Sequence, residues 1–172
     1  MILVTGGTGL IGAHLLYKLV VQGEQVKAIY RDSSSFENIK KIFSLYTKSS
    51  DELFLKVVWV KADINDVPAL ELAFKNVIKV YHCAADLSFD TSNYIASRKV
   101  NVEGTANIVN LCLSYEVTKL CHVSSIATIG EDVNKLITEE TKWNSESNSN
   151  NIYAITKYDA ELEVWRGAQE GL

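Results

Sequence analysis

A tyrosine stands four residues before a lysine twice in this chain, as Tyr115/Lys119 in YEVTK and Tyr153/Lys157 in YAITK. On a helix such a pair shares one face, about 6 Å apart along the axis. An ammonium beside a phenol lowers its pKa from about 10 and brings proton exchange within reach near neutrality. The two matches differ in setting. Tyr115 and Lys119 straddle the join from a helical pattern to an apolar strand, and strand geometry turns Lys119 away from a helical partner. Tyr153 and Lys157 fall inside one helical pattern, after a strand-like run that ends in Ser124 and Ser125. A hydroxyl at that place can hydrogen-bond a substrate oxygen that is gaining or losing charge.

The second constellation is TGGTGLIG, residues 5–12. Gly7, Gly9 and Gly12 satisfy G-x-G-x-x-G, and Gly6, Gly9 and Gly12 give G-x-x-G-x-x-G. In either frame one glycine permits a tight turn, another lets backbone approach a pyrophosphate, and the last packs helix on strand. Phosphates then rest on unpaired N–H groups at a positive helix end, where Leu10 and Ile11 stand. The turn follows a predicted strand and opens a predicted helix, the context this fingerprint requires. The adenosine ribose would face YRDSSS at the end of the second strand. Asp32 could accept from a 2′-hydroxyl, favouring NAD. Arg31, directly off the strand, could pair a 2′-phosphate with help from Lys40 and Lys41, favouring NADP. The position of Arg31 makes NADP the preferred expectation and NAD the alternative.

These groups must be carried by something, and the periodicity says what. MILVT, QVKAIY, KVVWVKAD, VIKVYHCAA and LCHVSS read as five buried strands. Helical spacing falls between them, over Leu10–Gln22 with Gly23 as its cap and over about Phe36–Thr47 behind a Ser34/Glu37 capping box. A third helix starts at Asp66 and Pro68, a long fourth covers Asn93–Ser114, and a polar stretch over about 131–151 leads to a last helix ending near Gly171. Strands alternating with helices mean a parallel sheet with crossovers on both faces, and the handedness rule leaves an α/β, doubly wound sheet.

Composition removes other classes. A net charge of −4 offers no basic face for nucleic acid. No apolar run approaches the roughly 20 residues that span a bilayer, and the start lacks the pattern of a signal peptide. Cys83, Cys112 and Cys121 match no metal spacing and read as buried, reduced thiols, so a cytoplasmic location is expected and no metal site. His14, His82 and His122 lie beside hydrophobic runs and read as satisfied core or helix-surface residues.

TGGTGLIG, HCAA, VNVEGTANIV, HVSSIATIG and YAITK stand in the order used by the extended short-chain dehydrogenase/reductase superfamily, and the chain resembles it over nearly its whole length. The resemblance implies a Rossmann fold and Tyr153 as general acid/base. Lys157 would tune that phenol and hold the nicotinamide ribose, Ser125 would orient the substrate oxygen (Ser124 is the nearby alternative), and Asn101 would support the catalytic geometry. It further places Asp63 and Ile64 near adenine, and Ala84 and Ala85 along the cofactor.

Within that superfamily YAITKYDAE and IYRD resemble dihydroflavonol-reductase-like enzymes, with Thr156 where their pattern has Ser. Ala154 and SNSNN depart from the nucleotide-sugar epimerases and dehydratases. The leading expectation is an NAD(P)-dependent oxidoreductase acting on a carbonyl or alcohol. An epimerase or dehydratase with tightly bound NAD and a nucleotide-sugar substrate is the rival, and a non-catalytic dinucleotide sensor the third. A homodimer is an assembly the resemblance allows. The family continues with a further strand and a smaller substrate domain, so residues 1–172 are expected to be the dinucleotide-binding domain, with the chain stopping before the sixth strand.

Overall fold

The computed structural model describes residues 1–32, 35–130, 136–144 and 151–172. Apolar and amphipathic runs alternate as β1 (Ile2–Thr5), α1 (Leu10–Val21), β2 (Val26–Tyr30), α2 (Phe36–Ser44), α3 (Ser50–Leu55), β3 (Val58–Lys61), α4 (Val67–Phe74), β4 (Lys79–His82), α5 (Tyr94–Arg98), α6 (Gly104–Ser114), β5 (Lys119–His122) and α7 (Ile152–Gln169). The strands pair in parallel in the order β3-β2-β1-β4-β5. The chain starts in the middle of the sheet, builds outward on one side and then crosses to the other. That reversal is the Rossmann arrangement, and it opens a crevice at the carboxyl ends of β1 and β4.

Alternation along the strands divides the core between two faces. Ile2, Val4, Val26 and Ala28 meet Leu16 and Val20 of α1 and Ile39 and Phe43 of α2. Leu3, Ile29 and Val80 meet Leu70 and Phe74 of α4 and Ile108 and Cys112 of α6. Each buried Val, Leu, Ile or Phe among them contributes about 1.5–3 kcal/mol by leaving water. The register also aligns three polar residues: Thr5 pairs with His82, and His82 with His122.

Three expectations change. The second helix stops at Ser44, and a separate α3 follows it. There Phe54 folds back on Phe36 and Trp59, so the aromatic cluster at the sheet edge reverses the chain early. The proposed Ser34 cap lies outside the described residues, and Ser35 stands at the N-cap without a side-chain bond. The fourth helix is continuous but not uniform: a 3-10 turn over Thr91–Asn93 leads to α5, then a π-helical turn over Lys99–Glu103, then α6. Finally, Cys112 is buried and Cys83 half-buried, but Cys121 is exposed, because the face of β5 it occupies carries no helix among the described residues. All three thiols are free.

Candidate active site

The β1–α1 turn is shaped by glycine at the positions that need it. Gly6 has φ +64°, and a Cβ on it would lie 2.6 Å from the Ala84 nitrogen. The Gly9 N–H donates to the Gly6 carbonyl at 2.9 Å, and a Cβ on Gly12 would run into that same carbonyl. Gly7 instead faces the core side chains of Leu16 and Ala28. The structure therefore selects the Gly6/Gly9/Gly12 frame. α1 begins with no side-chain cap and no acidic residue in its first turn, so its first N–H groups, at the exposed Leu10 and Ile11, need an outside acceptor.

One groove runs from this turn across the sheet, lined by Gly6, Gly9, Tyr30, Arg31, Asp63, Ile64, Ala84 and Ala85. Asp63 is held by an Asx turn in which its Oδ1 accepts from the Asn65 N–H at 2.9 Å. Arg31 lines the groove, whereas Asp32 is turned to the Lys61 ammonium at 2.8 Å. Lys40 is directed elsewhere, to the Asp51 carboxylate at 3.7 Å and over the Phe54 ring at 5.4 Å.

α7 closes the catalytic end. Asn151 caps it, its Oδ1 accepting from the Ala154 N–H at 3.0 Å. Tyr153 is half-buried with its ring 5.5 Å from that of Phe89, in the segment that follows β4. Lys157 is 2% exposed. Its ammonium donates to the Val123 carbonyl at 2.8 Å and lies 3.2 Å from His122 Nε2. Burial pulls its pKa down to about 8, partly offset by Glu161 and Cys83. The expected ammonium–phenol contact is not among these bonds. A desolvated ammonium takes the strongest acceptors within reach, here a carbonyl and an imidazole.

The two candidate serines are told apart. Ser124 Oγ donates to Glu161 Oε2 at 3.1 Å. Ser125 Oγ accepts from the Ala127 N–H at 3.1 Å at the start of the 3-10 turn Ile126–Thr128, which packs against α7. That leaves the Ser125 hydroxyl proton for a ligand oxygen. Tyr115 and Lys119 are separated as expected: the Tyr115 hydroxyl reaches the Glu71 carbonyl at 3.4 Å, and Lys119 lies exposed on β5.

Asn101 is no surface amide. It is 1% exposed, its Oδ1 accepts from the Asp86 N–H at 2.7 Å, and its Nδ2 donates to the Asp86 carbonyl and to Thr156 Oγ1, both at 3.0 Å. Thr156 in turn donates to the Tyr153 carbonyl at 3.2 Å. Asn101 thus ties the segment after β4 to the tyrosine-bearing turn of α7. A second chain of bonds joins it to the glycine turn. The Ala84 N–H donates to Thr5 Oγ1 at 3.2 Å, and Thr5 Oγ1 lies 2.6 Å from His82 Nδ1. His82 Nε2 lies 3.0 Å from Thr105 Oγ1, which donates to the Asn101 carbonyl at 2.5 Å. His82 must therefore donate from Nε2 and accept at Nδ1. Burial, then His122 and Lys157, hold its pKa well below the usual range, so it stays neutral. Sequence reasoning missed Thr5, Thr105, Thr156 and the role of both histidines. For Thr5, His82 and His122 the usable signal was their shared position at the ends of β1, β4 and β5, whereas Thr105 and Thr156 stand on α6 and α7 and offered none.

The NAD dependent epimerase/dehydratase family profile matches residues 2–172. The chain belongs to that family, and with it to the extended short-chain dehydrogenase/reductase superfamily. It is 31% identical over 168 residues to a putative dihydroflavonol 4-reductase from Synechocystis sp., covering 98% of this chain and 45% of the relative. It is 32% identical over 164 residues to a putative UDP-glucose 4-epimerase from Methanocaldococcus jannaschii, covering 94% and 48%. The solved UDP-glucose 4-epimerase of Thermotoga maritima, with UDP-glucose, superposes with a TM-score of 0.78 at 26% identity, covering 98% and 51%. The chain spans about half the length of these epimerase/dehydratase-family relatives. The dinucleotide in the family's description fits the groove: glycine is required at Gly6 by the approach of Ala84, and Arg31 and Asp63 offer a cation and an acceptor along it. No helix among the described residues is long and apolar enough to cross a membrane.

Proposed function

We propose that this chain carries the dinucleotide site and the proton-transfer residues of an NAD(P)-dependent reductase or dehydrogenase acting on a small carbonyl or alcohol. The carrying observation is the docking of α7 by Lys157 Nζ on the Val123 carbonyl, which brings the helix of Tyr153 against the strand end that continues into Ser125. When bound, the dinucleotide supplies or accepts the hydride. In the reducing direction Tyr153 gives its hydroxyl proton to the substrate oxygen while Ser125 donates a hydrogen bond to it. Lys157 keeps a positive charge beside the phenolate that remains, and Asn101 holds the backbone of that turn through Thr156. Gly6, Gly9, Leu10, Ile11 and Gly12 would take the pyrophosphate, Asp63, Ile64, Ala84 and Ala85 the adenine and ribose side. The position of Arg31 on the groove, with Asp32 drawn to Lys61, supports NADP over NAD.

Tyr153→Phe in the full-length protein tests this reading. Turnover should fall by about 10²-fold or more, the usual worth of a general acid/base, with cofactor affinity preserved. Unchanged function would instead favour a dinucleotide sensor. The epimerase relative at 32% identity supports a second reading in which hydride leaves and returns within one cycle. Retention of non-exchanging NAD through purification would select it, whereas free exchange and net NADPH consumption select the reductase.

A further inference from the structure

The strand-end imidazole beside Lys157 is not accounted for by the site as described. We infer that His122 is a positioning residue for Lys157, a neutral imidazole protonated on Nδ1 whose Nε2 lone pair fixes the ammonium beneath the nicotinamide end of the groove. This rests on the proposed role of Lys157 in proton transfer. Three observations carry it. Lys157 Nζ has donors only, so the 3.2 Å contact to His122 Nε2 is a hydrogen bond only if that nitrogen is unprotonated. The proton must then sit on Nδ1, and Nδ1 is a buried polar atom with no partner among the described residues. An unmet buried donor destabilises the fold, and an apolar side chain at this place would avoid it, so the lone pair offered to Lys157 is what the imidazole adds. The neighbouring ring, His82, lies 5.2 Å away at a tilt of 37° and is locked in the opposite tautomer by Thr5 and Thr105, so the pair presents two different nitrogens to its surroundings.

With Val123 and His122 occupying two of its three N–H groups, Lys157 keeps one for a ligand hydroxyl, and its direction is set by the other two. The titratable groups facing the ammonium are Glu161 on its own helix, Cys83 and His82 from β4 and the segment after it, and His122 from β5. Of these, Glu161 is already bonded by Ser124. His122 is held down to about 4 by burial and by Lys157, which keeps it an acceptor across the physiological range.

The test uses the full-length protein with ¹⁵N-labelled histidine and lysine. Long-range ¹H–¹⁵N spectra should show His122 with its proton on Nδ1 and His82 with its proton on Nε2; an Nε2–H tautomer at His122 overturns the inference without any variant. Titration of the Lys157 ammonium should move down by roughly one unit in His122→Leu, which removes an acceptor for the charged form. It should return toward the wild-type value in His122→Gln, whose amide oxygen can accept. An unchanged Lys157 titration in a folded His122→Leu also overturns it. None of these readouts depends on turnover, so they fail separately from the Tyr153→Phe experiment. If both hold, the alkaline limb of the kcat profile should shift to lower pH in His122→Leu with KM little changed.

Discussion

Asn101 Nδ2 donates to Thr156 Oγ1 at 3.0 Å, tying the π-helical turn after α5 to the helix that bears Tyr153. The link spans fifty-five residues of sequence and is fully buried. Asn101→Ala breaks three bonds at once and leaves both backbone groups of Asp86 unmet. A fully buried unmet group costs about 1–3 kcal/mol and these two are part-buried, so urea denaturation should show a loss of about 1–3 kcal/mol in all. Asn101→Asp keeps the acceptor for the Asp86 N–H but sets a buried carboxylate oxygen against the Asp86 carbonyl, and should lose at least as much.

The glycine turn predicts a contrast between two substitutions. Gly6→Ala places a methyl against the Ala84 backbone as well as straining φ, so NADPH affinity measured by fluorescence titration should drop by more than about tenfold. Gly23→Ala also has positive φ, +81°, but meets no atom within 4 Å. It should cost about 1 kcal/mol of stability and leave affinity unchanged.

Cofactor choice should follow the strand-two end. Arg31→Ala is expected to weaken NADPH binding by about tenfold or more, the loss of a charge-assisted pair, while sparing NADH. Asp32→Ala, which removes only the exposed pair with Lys61, should change the NADPH/NADH ratio little.

Acid should destabilise this domain through its buried histidines. His122 titrates near 4 in the fold but near 6.5 when unfolded, so between those values the unfolded chain binds the extra proton and stability falls as pH falls. At about 1.36 kcal/mol per unit the window holds up to roughly 3 kcal/mol. His82 acts with the same sign. Lys157 works at the other end: its penalty is present below about 8 and is relieved as pH rises toward 10.5. Denaturation midpoints of wild type and His122→Gln at pH 7 and pH 5 should converge as pH falls.

The parts of this structure that were legible were those written in local pattern. TGGTGLIG sits between an apolar run and an amphipathic one, and the need for glycine at Gly12 is local to the turn, though at Gly6 it also comes from Ala84 across the sheet. Asp66 and Pro68 announce α4, and Asp66 does cap it, accepting from the Ala69 N–H at 3.1 Å. The rest depended on partners far along the chain. α3 exists because Phe54 finds Phe36 and Trp59, and no spacing within residues 45–56 encodes that meeting. Lys157 falls within α7 as the helical spacing indicates, but its acceptors, His122 and Val123, come from the end of β5 and the residue after it, which the register of Thr5, His82 and His122 brings alongside. Cys121 read as buried because its neighbours are apolar, yet burial is decided by which face of β5 is covered.

Ser97, Asn101 and Thr105 are all essentially inaccessible and all point their oxygens or amide toward the same interior seam, four residues apart each time. In an undisturbed helix, at about 100° per residue, such a column would wind some 80° around the axis from first to last. The wider turn over Lys99–Glu103 absorbs part of that winding and acts as a phase corrector. Deleting a single amino acid there would restore ordinary coiling and scatter the column, so the length of this stretch is as much a requirement of the site as the identity of any residue in it.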